Sequence, residues 1–132
     1  MQIKRYCGNQ RVRSVYNWNR SFKLDKRFQV IKIRHKGELI GNVAVEKDFI
    51  YFLIVNPKFR NRGFGKLLIS EAEKIIFKKY NQVNIVPRDN DEELRKYYSF
   101  LGYIGHSKNE VGYDEADKFF WTMTKRRKND NR

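Results

Sequence analysis

Cysteine is almost missing from this chain of 132 residues: Cys7 stands alone. That excludes an internal disulfide, a CxxC redox pair and a cysteine-built zinc cluster, and it fits a reducing compartment. Histidine is scarce as well. His35 adjoins a turn and His106 trails a strand, and their spacing from Cys7 suggests no nucleophile pair, so neither cysteine chemistry nor a bound metal is expected. With two prolines and no Pro/Ser-rich linker or internal repeat, nothing divides the sequence into domains. No apolar run approaches the roughly 20 residues of a membrane span, and the start, Met1-Gln2-Ile3-Lys4-Arg5-Tyr6, has no apolar signal core. A soluble, cytoplasmic protein without a membrane partner is therefore expected.

Acidic residues are the other shortage. There are 15 Asp and Glu against 29 Lys and Arg, a net charge of +14. Up to Lys36 the chain carries eleven basic residues and one acid, Asp25, so the first quarter holds +10 of the total. Such a field favours anionic partners and makes the N-terminal part a candidate RNA contact, although basic residues also serve simply as a solvated face.

What is present suits one buried core: 40% hydrophobic residues, including ten Phe and eight Tyr. A single domain over residues 1–124 is expected, followed by a basic, disordered tail over 125–132. Residues Phe28–Arg34 and Glu38–Val45 alternate about Gly37 and predict an antiparallel hairpin. The run Phe49–Val55 is apolar on both faces and reads as a central strand that Pro57 ends. Apolar residues from Phe64 to about Tyr80 recur at helical spacing. A short strand, Val83–Val86, precedes a helix over Asp91–Leu101 closed by Gly102. Tyr103-Ile104 and Lys118–Thr124 are the last strands, separated by a loop with Glu110, Asp114, Glu115 and Asp117. The order predicts an α/β (α+β) fold, a mixed sheet with helices packed on it.

The most informative stretch is Val55-Asn56-Pro57-Lys58-Phe59-Arg60-Asn61-Arg62-Gly63-Phe64-Gly65-Lys66, which joins the central strand to the first helix. Two glycines there let a ligand approach the backbone, and the unpaired first-turn N–H groups point at it. With the helix dipole and the cations Arg60, Arg62 and Lys66, the loop suits a pyrophosphate. It lacks the third glycine of a dinucleotide fingerprint and the Gly-Lys-Ser/Thr ending of a P-loop.

The pattern Val-x-Pro-x-x-Arg-x-x-Gly-x-Gly between a buried strand and an amphipathic helix resembles the acetyl-CoA signature of the GNAT superfamily of N-acetyltransferases. Leu94-Arg95-Lys96-Tyr97-Tyr98-Ser99-Phe100-Leu101-Gly102-Tyr103 is similar to the family's later motif. The resemblance covers about Phe49 to Tyr103. It implies a central, mostly antiparallel mixed sheet with helices on both faces. Residues Met1–Arg27 look abbreviated, with room for one strand and a short helix.

By that resemblance the backbone of Leu53, Ile54 and Val55 would hold the pantetheine arm of acetyl-CoA. Arg60, Asn61, Arg62, Gly63, Phe64, Gly65 and Lys66 would take its pyrophosphate. Tyr98 matches the family's general acid. Asp91, beside Asn90, stands where the family often has an Asn touching the CoA arm. The family's usual Glu or Asp base is absent from both central strands. Glu46 and Asp48 are the nearest acids and could act through water, while Asp114 and Asp117 could draw in a cationic amine.

The implied reaction is direct attack by an amine on the thioester in a ternary complex, the acceptor being a protein, a small amine or an aminoacyl-tRNA. The alternative is a catalytically weak or inactive module that presents Arg5, Arg11, Arg13, Arg20, Lys23 and Arg27 to nucleic acid. Either a monomer or a homodimer fits.

Overall fold

A computed structural model describes residues 1–105 and 122–128. The expected hairpin forms from β4 (Gln29–His35) and β5 (Glu38–Glu46), turning over Lys36 and Gly37. An edge strand β1 (Gln2–Cys7) lies antiparallel to β4. On the other side of β5 comes β6 (Phe49–Val55), followed by β7 (Gln82–Ile85), β9 (Met123–Arg126) and the short β8 (Ile104–Gly105). The sheet order is β1-β4-β5-β6-β7-β9-β8, and only the β6–β7 pair is parallel. This is the mixed sheet that the pattern of elements anticipates, mostly antiparallel as the resemblance implies.

Side-chain alternation sends the sheet's two faces into two apolar clusters. Ile31, Ile33, Val43, Val45 and Ile50 pack with Leu68, Ile69, Ala72 and Ile76 of α1 (Phe64–Ile76). Helix α1 stops one turn before Tyr80, where Lys78 and Lys79 bond back to Ile75 and Ile76 in a tight last turn. Helix α2 (Glu92–Phe100) joins the same cluster through Tyr98, and Asp91 caps it by accepting from the Glu93 and Leu94 amides. Tyr103 is buried at the end of α2 and donates to Glu73 on α1 at 2.7 Å, while Lys125 Nζ reaches the other Glu73 oxygen at 3.2 Å.

Val30 and Ala44 face the opposite way, beside Phe28, Tyr51 and Phe52. They are covered by a two-stranded ribbon of β2 (Arg11–Arg13) and β3 (Ser21–Lys23), which adds Val12 and Leu24 to the cluster. The expected short helix in the first 27 residues is therefore replaced by β-structure. Arg11-Val12-Arg13 and Ser21-Phe22-Lys23 each alternate about one apolar residue, a strand signal too short to stand out. Phe22 reaches Phe52 edge-on, ring centroids 5.1 Å apart.

Strand β9 runs to Arg126, with Lys125 beside Val83 and Arg126 beside Gln82, so the expected tail begins later than Lys125. Residues 118–121 of the anticipated last strand, His106 and the acids Glu110, Asp114, Glu115 and Asp117 lie outside the described residues. Among the described residues no helix is long and apolar enough to cross a membrane.

Candidate active site

The site begins with a fault in β6. Between the pairs Asn42–Ile54 and Ala44–Tyr51, β6 has two residues where β5 has one, a β-bulge with Phe52 at φ 54°. The fully buried Asn42 holds it. Its Nδ2 donates to the Phe52 carbonyl at 2.9 Å, and its Oδ1 accepts from the Arg13 amide of β2 at 2.8 Å. Gly41 is needed beside it, because a β-carbon there would lie 2.7 Å from the Ile54 carbonyl oxygen.

Past the bulge the central strands part. β6 and β7 pair only at Phe49–Asn84 and Ile50–Ile85, so the β7-facing backbone groups of the second half of β6 have no ladder partner. A cleft of about 730 Å³ opens there, lined by Phe49 to Val55 of β6 and by Ile85 and Val86 beyond it. Its size is that of a small-molecule or cofactor site.

One wall of the cleft is the loop into α1. Asn56 caps the short 3-10 turn Pro57–Phe59 by accepting from the Lys58 amide, and Arg60 Nε donates to the Val55 carbonyl at 3.1 Å. Gly63 enters α1 at φ 87°, a left-handed conformation costly for any other residue, and no side chain caps the helix. The first-turn N–H groups are thus left for a ligand, beside Arg60 and Lys66, which both line the cleft.

The other wall is α2. Tyr98 is 5% exposed yet lines the cleft, and its hydroxyl has no hydrogen-bond partner among the described residues. Burial, with the neighbouring Tyr97 second, pushes its phenol up to about 12, so it is a protonated donor at neutral pH. Tyr97 points instead at the α1 entrance, its hydroxyl 3.5 Å from where a β-carbon on Gly65 would be.

A family model described as an acetyltransferase (GNAT) domain matches residues 6–124. The chain belongs to the GNAT acetyltransferase family. Curated relatives include an acetyltransferase of Yersinia enterocolitica, 34% identical over 68 residues that make up 51% of this chain and 48% of the relative. A Yersinia pseudotuberculosis acetyltransferase is 32% identical over the same shares. The match therefore spans about half the length of these relatives. Among solved structures, a GNAT-family acetyltransferase from Staphylococcus aureus superposes with a TM-score of 0.61 at 14% identity, over 76% of this chain and 68% of that one. A GNAT-family acetyltransferase from Elizabethkingia anophelis, solved with acetyl-CoA bound, gives 0.57 at 15% identity, covering 76% of each chain. At these identities the likeness is one of fold.

In this GNAT chain the residues singled out from sequence fall into two groups. Leu53, Ile54, Val55, Arg60, Asn61, Gly63, Phe64, Gly65, Lys66 and Tyr98 all line the one cleft. The others do not. Arg62 lies over the Phe59 ring, 5.7 Å from its centroid. Asn90 accepts from Arg95 at 2.9 Å, and the Asp91 carboxylate is used as the α2 cap.

Both candidate bases sit elsewhere. Glu46 lines a separate hollow of about 290 Å³ with Arg5, Arg27 and Lys47, beside the far end of α1. Asp48 accepts from Asn84 at 3.1 Å and Gln82 at 3.5 Å. The structure brings neither to the cleft.

Sequence reasoning missed Val15, Tyr16, Arg88 and Tyr97, all of which line the cleft. Val15 and Tyr16 belong to the ribbon loop and carried no motif. Arg88 had one available signal, being the first charged residue after a buried strand.

Proposed function

We propose that this chain is an acetyl-CoA-dependent N-acetyltransferase that works by direct attack of an amine. The observation that carries the reading is that one cleft joins the uncapped, cation-flanked start of α1 to a buried, protonated tyrosine, through the gap between two diverging strands. The residues present fit the cofactor. Arg60, Lys66 and the α1 amides would neutralise a pyrophosphate, and the unpaired edge of β6 would hold an extended amide arm as an added strand does.

Acetyl-CoA supplies an activated thioester when bound. Backbone N–H groups on the open edge of β6 are donors for the charge that develops on its carbonyl oxygen. As the C–N bond forms and the C–S bond breaks, Tyr98 gives its proton to the departing sulfur. The proton shed by the nitrogen returns through water to the tyrosinate, which restores the phenol. With no carboxylate lining the cleft among the described residues, the amine gives up its ammonium proton to water before it attacks.

The test is CoA release with a panel of amines, comparing wild type with Tyr98→Phe. A fall in kcat of about a hundredfold with a nearly unchanged KM for acetyl-CoA is expected. Equal kcat values in the two proteins would remove Tyr98 from the chemistry.

A further inference from the structure

The described residues lining the cleft carry three full charges, all positive: Arg60, Lys66 and Arg88. Arg60 and Lys66 belong to the loop into α1, where the proposed reading places the cofactor's phosphates. Arg88 belongs to the other side. It follows β7, donates to the Val15 carbonyl, and lies 5.7 Å from the centroid of the Tyr16 ring. Val15 and Tyr16 are in the loop of the β2–β3 ribbon, which covers the face opposite α1. The cleft therefore draws cations from two of its walls, and Arg88 lies outside the loop where the proposed reading places the pyrophosphate.

Nor does Arg88 have an acid to meet. Its neighbour Asp89 turns its Oδ1 to the Tyr16 hydroxyl at 3.1 Å, and among the described residues no carboxylate lies within ion-pair distance of the Arg88 guanidinium. One arm of the guanidinium is spent on Val15. The remainder of the fork is a donor set shaped for a carboxylate. Arg88 and Tyr98 line the same cleft.

We propose that Arg88 binds a carboxylate on the acceptor, so that the amine acetylated belongs to an amino carboxylate. This rests on the acetyltransferase reading of the cleft. An α-amino carboxylate anchored at Arg88 keeps its nitrogen one carbon from the anchor, inside the cleft that Tyr98 also lines. The same charge explains how the site works without a carboxylate base. A neighbouring cation disfavours the ammonium form, so the nitrogen sheds its proton to water more readily than in solution. A polyamine has the opposite chemistry, bringing several positive charges to a wall that offers only more.

The test compares an α-amino acid with the amine left by removing its carboxyl group, in wild type, Arg88→Gln, Arg88→Lys and Tyr16→Phe. Acetyl-CoA binding is followed separately by calorimetry in each. Wild type should favour the amino acid in kcat/KM by about thirtyfold, the scale of a hydrogen bond to a charged group. Arg88→Gln should bring that ratio close to one while acetyl-CoA still binds, and Arg88→Lys should keep part of it. The ratio should persist in Tyr16→Phe, which loosens the ribbon loop without removing the charge.

A wild type indifferent to the carboxylate, or one that prefers the polyamine, overturns the proposal. So does acetylation of an aminoacylated RNA with no activity on the free amino acid. Failure of wild type to bind acetyl-CoA would overturn the reading beneath it, a different result from binding without carboxylate preference.

Discussion

A methyl group at Gly65 would meet the Tyr97 hydroxyl at 3.5 Å and Val55 Cγ2 at 3.9 Å, ordinary contact distances. The empty fold therefore has room for alanine at this first-turn position of α1, and alanine favours the helix by roughly 0.5–1 kcal/mol. Gly65→Ala should hold or raise the thermal midpoint while weakening acetyl-CoA binding, because the methyl occupies the space where a ligand meets the backbone. Unchanged affinity in a calorimetric titration would mean that no ligand comes that close. At this scale the phosphate loop was legible because its residues are contiguous and fixed by one strand and one helix. The acids were not, because nearness along the chain does not decide which end of β6 a side chain joins. Glu46 and Asp48 precede the strand, and the cleft opens past its middle.

Among elements, the bulge in β6 depends on a side chain that also fastens the ribbon. Replacing Asn42 by leucine would leave the Arg13 amide and the Phe52 carbonyl without partners in a buried setting. A loss of about 2–4 kcal/mol in a urea titration is expected, with a raised KM for acetyl-CoA as the gap between β6 and β7 relaxes. Stability within about 0.5 kcal/mol of wild type would show that the bulge does not need the side chain.

The packing of α2 makes a second prediction. Tyr98 is held neutral to about 12 against 10.0 for a free phenol, and burial with the Glu73 carboxylate raises Tyr103 as well. Above pH 10 the unfolded chain releases these protons and the native one keeps them, so stability is complete below pH 10 and falls as pH rises toward 12. Tyr98 alone is worth about 2–3 kcal/mol over that window, and Tyr98→Phe should blunt the fall. An alkaline transition identical in the two proteins would contradict the assignment. The hairpin and α1 were readable from periodicity and β6 from its unbroken apolar run, since each pattern extends over several residues. The ribbon was not, because three-residue strands carry one apolar position apiece, and the pairing of Arg13 with Asn42 spans 29 positions.

For the whole molecule, a net charge of +14 surrounds a cleft whose described charged residues are all cationic. Acetyl-CoA affinity should therefore fall as salt is raised from about 50 mM to 500 mM, where screening shortens to a few Å. An affinity indifferent to salt would point to recognition by the acyl arm alone. The composition announced this bias but not its placement, since the basic first quarter is divided between the β1 edge and the ribbon. Some of its charge is also neutralised locally, as in the Arg27–Asp25 and Arg5–Glu71 pairs.

The most direct measurement is a calorimetric titration of the purified protein with acetyl-CoA, repeated on Gly65→Trp. Binding in the micromolar range by wild type, absent in a variant that remains folded by circular dichroism, is the result this account requires. No binding by wild type, or equal binding by the folded variant, would contradict the placement of the cofactor at the start of α1.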